Sequence, residues 1–323
     1  MLRSLGGAVA ALAMSFTTAA GAADAYPTRP IALVHGFGAG GNIDTVARII
    51  AGPLSERLGQ PVVVESRTGA GGTLAEAYVA KAKPDGYTLL MMHGGSTVSP
   101  ALYKSLPYTP LEDFTTITML TRFPFVFAVR SDSKYQTLGD VIRAARAAPE
   151  TVTFSSVGVG STQHLSGELL QSMAGVKMIH VPYRGGGAPM TDLLGGQVEI
   201  LADSLTVALP SIKAGKARAL AITSPQPWPG FTEVPTVASV VPGYDVRSFH
   251  GVGGPKGLPA DIVDRLAREL AAVLQNPEVR EKLVKNAGVT VAEPVSPQAM
   301  RAELATQIAK WKKVVADAKI PQQ

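Results

Sequence analysis

Apolar and polar positions fall in blocks along this chain, and the blocks read as a repeated strand–turn–helix series. Ile31 to Val34 form a short apolar run. Gly36, Gly38, Gly40 and Gly41 then open a turn. From Ile43 the apolar residues return at helical spacing: Ile43, Val46, Ala47, Ile50, Leu54 and Leu58. Pro53 lies inside that pattern and predicts a kink or an early end to the helix. Residues 61–65 read as a second strand, 66–72 as a second glycine turn, 73–81 as a helix, and 87–92 as a third strand ending in a polar loop over 93–97. After a Pro-rich connection at 106–114 come two extended runs, 115–120 and 123–129, and a helix at 138–147. The opening arrangement then recurs: a strand at 152–155, the turn Val157-Gly-Val-Gly-Ser-Thr162, and a helix at 163–173. A second series follows, with strands at 177–181, 198–202 and 217–223 and helices at 188–194 and 205–214. The strand at 246–251 reads as a return, followed by amphipathic helices at 259–275 and 277–286 and a last helix at 296–318 with Trp311 on its apolar side.

Short connections between alternating strands and helices predict an α/β fold with doubly wound parallel sheets. Two such series, with a return at the end, predict two lobes: residues 26–126 plus 248–323, and residues 127–247, joined by two segments that act as a hinge. Ligands of such sheets bind outside the strand carboxyl ends, which places a site in the cleft between the lobes.

Residues 1–25 are expected to lie outside the fold. Arg3, an uncharged small and apolar run over 5–20, and Ala-x-Ala patterns ending at Ala22 and Ala25 form the layout of a secretory signal peptide. A membrane anchor is the alternative, but the run is short and a turn-forming Pro27 and Pro30 follow at once. The expected protein is periplasmic, cleaved after Ala25. Net charge is +5 with no run of basic residues, which argues against nucleic acid. With Cys 0, disulfides and thiol chemistry are excluded, and the 46% apolar content suffices for an ordinary core.

Three readings compete for the opening stretch. Gly36-x-Gly38-x-x-Gly41, with Glu65 ending the next strand, fits a dinucleotide fingerprint of an exported oxidoreductase. His35-Gly-Phe-Gly38 looks like the oxyanion loop of an esterase, but no Gly-x-Ser-x-Gly nucleophile elbow exists in the chain. The third reading is anion binding without chemistry: a helix N-terminus leaves backbone N–H groups free, and the helix dipole favours a negative charge there. The chain supplies that arrangement twice, with Ser161 or Thr162 capping the second helix. Asp44 either orients the glycine turn or is simply a favourable acid in a first turn. His164 either bonds a ligand or Asp203, or packs as a structural histidine. Asp203, at a strand carboxyl end, either holds a ligand ammonium or water, or caps the next helix. Gly94 and Ser96, in the loop after the third strand, and Tyr183, beside Arg184 and a triple glycine, complete the candidate ligand-binding set. His35, His93, His180 and His250 show no metal-ligand spacing, so neither metal nor cofactor is expected.

Taken in order, several short blocks resemble the substrate-binding proteins of tripartite tricarboxylate transporters, the Bug-type periplasmic receptors. They include Tyr26-Pro-x-Arg-Pro-Ile31, Ala39-Gly-Gly-x-x-Asp44, Gly69-Ala-Gly-Gly72, Pro84-Asp-Gly-Tyr-Thr-Leu89, Gly158-x-Gly-Ser161 with His164-Leu165, and His180-Val-Pro-Tyr183. The resemblance spans nearly all of the mature chain. It implies a two-lobed Venus-flytrap fold of the type II periplasmic class, no enzymatic activity, and capture of di- or tricarboxylates, acidic amino acids or aromatic acids. It implies a monomeric receptor that serves membrane permease subunits. Carried onto this chain, it nominates Phe37, Gly38, Ala39, Gly40 and Gly41 for one end of the ligand and Gly158, Gly160, Ser161 and Thr162 for the other. The family usually has Pro on both sides of the Phe; Gly36 and Gly38 stand there, which predicts a more flexible loop.

Overall fold

The structure, a computed structural model, describes residues 26–293 and 295–322. The expected signal peptide lies outside the described residues. The first series is β1 (Ile31–His35), α1 (Asn42–Leu58), β2 (Val62–Ser66), α2 (Thr73–Ala80), β3 (Thr88–His93) and α3 (Gly95–Leu102). β4 (Phe114–Arg130) and α4 (Leu138–Ala147) lead to the second series: β5 (Thr153–Ser156), α5 (Thr162–Ala174), β6 (Ile179–Pro182), α6 (Ala188–Leu194), β7 (Ile200–Ser204), α7 (Leu205–Lys213) and β8 (Ala217–Ile222). The chain closes with β9 (Arg247–Pro255), α8 (Ala260–Gln275), α9 (Pro277–Ala287), β10 (Thr290–Val291) and α10 (Pro297–Asp317).

This is the two-lobed α/β architecture that the resemblance implies, but its sheet is mixed and curled. The order is β2-β1-β3-β9-β4-β7-β5-β6, with β10 and β8 also paired to β4. β1, β2 and β3 run parallel, as do β5, β6 and β7, while β4 and β9 run antiparallel to their neighbours.

The two extended runs expected at 115–120 and 123–129 are one strand of 17 residues. Its first part pairs with β9, from Phe114↔Pro255 to Pro124↔Arg247. Its second part pairs with β7 and β8, beginning at Phe125↔Ser204 and Val126↔Ile222. β4 therefore passes from one lobe to the other between Pro124 and Phe125. The second crossing runs beside it, where Val246 N–H donates to Thr223 O at 2.9 Å. Thr223 ties the two crossings together. Its Oγ1 accepts from Phe125 N at 2.7 Å and donates to Val246 O at 2.7 Å, fully buried.

α1 buries the face its periodicity predicts: Ile43, Val46, Ala47, Ile50, Leu54 and Leu58. It does not end at Pro53 but continues to Leu58 and stops at left-handed Gly59, φ 70°. Residues 95–102 are helical rather than loop, because tertiary contacts bury Gly95 to Ser99 and give their polar groups partners. α10 packs on α3 and β4 with Trp311 buried.

Candidate functional site

The carboxyl ends of β1, β3, β5 and β7, the middle of β4 and the first half of β9 converge on one cavity between the lobes. From the first lobe come Phe37, Gly41, Asn42, Ile43, His93, Ser248 and His250. Val157, Thr162, Gln163, Gly185, Gly186 and Asp203 face them from the second, and Phe123 and Phe125 form the floor where β4 crosses. About 40 Å³ is open to the centre of a water molecule, on the order of three water positions. The lobes are closed: Gly38 N–H donates to Arg184 O at 3.3 Å, and Tyr103 Oη donates to Val159 O at 3.2 Å. The walls are aromatic. Phe37 meets His93 edge-on at 4.7 Å between ring centres, and Phe123 stacks on His250 at 4.6 Å.

Polar atoms without partners belong to residues of this wall. Asn42 Oδ1, His93 Nε2, Thr162 Oγ1 and Asp203 Oδ2 are buried and make no hydrogen bond. Buried polar atoms are paired in the great majority of cases, so four around one cavity call for a ligand or ordered water. The first turns of α1 and α5 also end here. Gly41 caps α1 without a side-chain bond, and Ser161 caps α5 by accepting only from His164 N, at 3.1 Å. Among the described residues, no Lys or Arg lines the cavity. Its histidines are neutral: burial, with His35 nearby, pushes His93 down to about 3, and burial, with His93 and His35, holds His250 well below its usual range. Burial pushes the Asp203 carboxyl up to about 6 against the bonds it accepts from Ser204 and Gln163. Among the described residues, no nucleophile paired with a base lines the site. What it offers is amide dipoles, a few side-chain hydrogen bonds and aromatic walls.

A scan of family descriptions matches residues 46–320 to the tripartite tricarboxylate transporter family receptor. A UPF0065 protein from the tcbD-tcbE intergenic region of Pseudomonas sp. (strain P51) is 36% identical over 314 residues, covering 96% of this chain and 93% of that protein. The chain belongs to the tripartite tricarboxylate transporter receptor family. Protein BugT of Bordetella pertussis is 36% identical over 296 residues, 91% of this chain and 90% of its own. Among solved structures, an R. palustris protein with adipate superposes with TM-score 0.88 at 37% identity, covering 92% of this chain and all of that one (100%). MatC from Rhodopseudomonas palustris, with bound malate, gives TM-score 0.85 at 32% identity over 90% of this chain and 100% of its own. Members of this family are binding receptors, so the oxidoreductase and esterase readings are set aside.

In this receptor the β1–α1 loop is held from behind by Asp44. Its Oδ2 accepts from Gly40 N at 3.0 Å, its Oδ1 lies 3.2 Å from His35 Nε2, and Arg48 Nε donates to both oxygens at 3.0 Å. Burial alone pushes the Asp44 carboxyl up, but Arg48, the Gly40 amide and His35 together hold it below its ordinary value. His35 Nδ1 accepts from Phe37 N at 3.4 Å, so in the neutral ring Nε2 carries the hydrogen and donates to Asp44. Gly36 abuts the backbone of Gly72, whose carbonyl oxygen would be 2.9 Å from any Cβ at 36. Gly38 supplies an N–H that reaches Arg184 O across the cleft.

Of the residues nominated from sequence, the cavity wall contains Phe37, Gly41, Thr162 and Asp203. Gly38, Ala39 and Gly40 lie in the same loop but do not line the cavity; Gly38 pairs with Gly185 instead. Gly94 touches the wall from outside, with Thr162 Oγ1 and Ser248 Oγ against it. Ser96 Oγ turns away and donates to Glu76 Oε1 at 2.6 Å. The Gly158–Gly160 turn does not face the first glycine loop. It faces the second, with Gly71 against the Val159 carbonyl, and Tyr103 packs on Gly160. His164 reaches neither the cavity wall nor Asp203; it stacks on His180 at 4.2 Å. Tyr183 Oη donates to Asp192 at 2.6 Å, away from the cleft. The wall also contains Asn42, Gln163, Ser248, His93, His250 and the glycines at 185 and 186. Asn42 and Gln163 are legible only as residues that follow helix caps, a position where a side chain shares the free end of the helix.

Proposed function

We propose that this chain is a periplasmic, monomeric receptor that closes its lobes, residues 26–126 with 248–323 and residues 127–247, over a small carboxylate. It then delivers that ligand to the permease subunits of a tripartite transporter. One observation carries the reading: two helix N-termini and four residues with unpartnered buried polar atoms line one cavity that, among the described residues, has no Lys or Arg in its wall. A carboxylate satisfies amides and hydroxyls there without an ion pair, as anions do at helix N-termini. The relatives solved with adipate and malate support the ligand class. The hydrogen bonds from Gly38 to Arg184 and from Tyr103 to Val159 across the cleft support a closed state that a ligand selects by differential affinity.

Calorimetry and thermal shift with a panel of di-, tri- and aromatic carboxylates test the reading. Binding near micromolar affinity, about −8 kcal/mol, is the expected result. No stabilisation by any carboxylate would overturn it. Co-purification with the cognate permease subunits, dependent on loaded receptor, tests delivery.

A further inference from the structure

Outside the cleft, on the α2 side of the first lobe's sheet, an acid is buried beside an apolar core. Glu76 lies on α2 and is 2% exposed. The same helix buries Ala75 and Val79 in the cluster that also holds Met92, Phe114 and Met300. Glu76 Oε1 accepts from Ser96 Oγ at 2.6 Å, while its Oε2 makes no hydrogen bond. Among the described residues no Lys or Arg forms an ion pair with it; its basic neighbour is His93, with Nε2 3.4 Å from Oε1.

His93 connects this acid to the cleft. It ends β3, and its ring lines the cavity. Its Nδ1 accepts from Gly95 N at 2.9 Å, so in the neutral ring Nε2 carries the hydrogen and turns it toward Glu76. One imidazole therefore separates the carboxyl from the ligand's room. The other titratable groups on this side keep one state near neutrality. Burial pushes His93 down to about 3, and it pushes Tyr108, which faces the carboxyl from the loop before β4, far above its ordinary value. Behind these two, burial lowers His35 and His250 and raises Tyr103. Burial pushes Glu76 itself up to about 7, against Ser96 and Tyr108, which favour its ionised form. A buried carboxylate without a counter-charge is strongly disfavoured. An anion held on the far side of His93 adds like charge and favours the protonated form further.

We propose that Glu76 is a positioning residue that acts through His93, a proton site behind the cleft that fills when an anionic ligand binds, so that capture is proton-linked and weakens as the solution becomes alkaline. The inference rests on the receptor reading above. A group made less acidic by binding takes up a proton from solvent as the ligand enters. Affinity is then greatest below the range in which Glu76 of the free receptor ionises, and it falls across that range. The proton returns to solvent when the ligand leaves.

The test uses the full mature chain with succinate, malate and adipate, each a dianion throughout the range. Calorimetry in phosphate and in Tris, buffers of different ionisation enthalpy, counts the protons taken up. The wild type is expected to take up a fraction of a proton, and its affinity for the tightest of the three to fall at least about threefold from about pH 7 to about pH 8.5. Glu76→Gln keeps the shape and cannot titrate; it should remove the uptake and flatten the profile. Ser96→Ala withdraws a bond that favours the ionised form and should move the profile about half a pH unit upward, a shift that a merely structural Glu76 would not give. No proton uptake by the wild type overturns the proposal. So does uptake that persists in Glu76→Gln, as it would if Asp203 took the proton, and so does a profile that Ser96→Ala leaves in place. The wild-type count and Ser96→Ala decide the matter if Glu76→Gln fails to fold. Should an acid bind without pH dependence, the receptor reading stands and the role of Glu76 falls. Should none of the three dianions bind, the proposal falls; the receptor reading falls with it only if the whole carboxylate panel fails.

Discussion

Replacing Asp44 by Asn tests whether the glycine loop is positioned by the acid behind it. The side chain is 5% exposed and receives donors from three directions: Gly40 N–H, His35 Nε2–H and Arg48 Nε–H. An Asn amide can accept on one side only, so whichever way it turns its NH₂ meets a donor. If the NH₂ faces His35, the ring must switch tautomer to accept from it, and then Nδ1–H confronts Phe37 N–H. A buried donor left unsatisfied costs about 1–3 kcal/mol, and the lost charge-assisted bond to the amide about 1 more. The Arg48 contact contributes little, since that side chain is 59% exposed. The total is roughly 2–4 kcal/mol. At roughly 2–4 °C per kcal/mol for a chain of this size, Tm should fall by about 4–16 °C. Phe37 and Gly41 are in the same loop and line the cavity, so affinity for the tightest acid of the panel should drop at least about tenfold, or ~1.4 kcal/mol. Arg48→Ala is the control and should change Tm by no more than about 2 °C. Calorimetry and scanning fluorimetry read both quantities. Asp44→Asn with wild-type Tm and an affinity within about a factor of two would refute the reasoning.

Three further outcomes follow. Gly71→Ala places a methyl 2.5 Å from the Val159 carbonyl across the cleft and strains φ of 63°; it should obstruct closure, weakening affinity at least about tenfold while costing the ligand-free protein only about 1 kcal/mol. Equal affinity in that variant would mean that closure does not bring the second glycine loop to Val159. Thr223→Val removes the hydroxyl that ties the two crossings and leaves Phe125 N–H buried without that acceptor; a loss of about 1–3 kcal/mol in denaturant unfolding is expected, and an unchanged midpoint would remove the tie from the account. Stability should fall on acidification from about pH 6.5 to 5. Burial holds all five histidines, His35, His93, His164, His180 and His250, below their ordinary value. The unfolded chain therefore binds more protons there, and stability rises with pH. Glu76, pushed up to about 7 by burial, Asp203, up to about 6, and Glu168, also raised by burial, act in the opposite direction but are three against five. A Tm that is flat or higher at acid pH would contradict these assignments.

Local signals carried most of the elements. The apolar stripe of α1 and the start of α4 are legible because each is decided within one turn of chain; Thr137 and Asp140 form the capping box that begins α4. β4 reads as two pieces because Thr121, Arg122 and Pro124 interrupt its apolar run. It persists because β9 and β10 pair on either side of it and bury Thr121. α3 is hidden by its glycines and by Pro100, which its surroundings override. The site divides in the same way. That Phe37, Gly41 and Thr162 stand at the mouths of their helices follows from spacing. Which glycine turn meets which does not, because that depends on how one lobe is set against the other. So the Gly158 turn lies opposite Gly71, and the Gly185 loop opposite Gly38.

The place of β9 in the sheet bears on how the molecule is made. It lies between β3 and β4, so the centre of the sheet stays empty until residue 255 has been synthesised. Strands ordered early have no central partner to zip onto, and long-range pairing of this kind is slow. The first lobe can therefore complete its sheet only after the whole second lobe has been made.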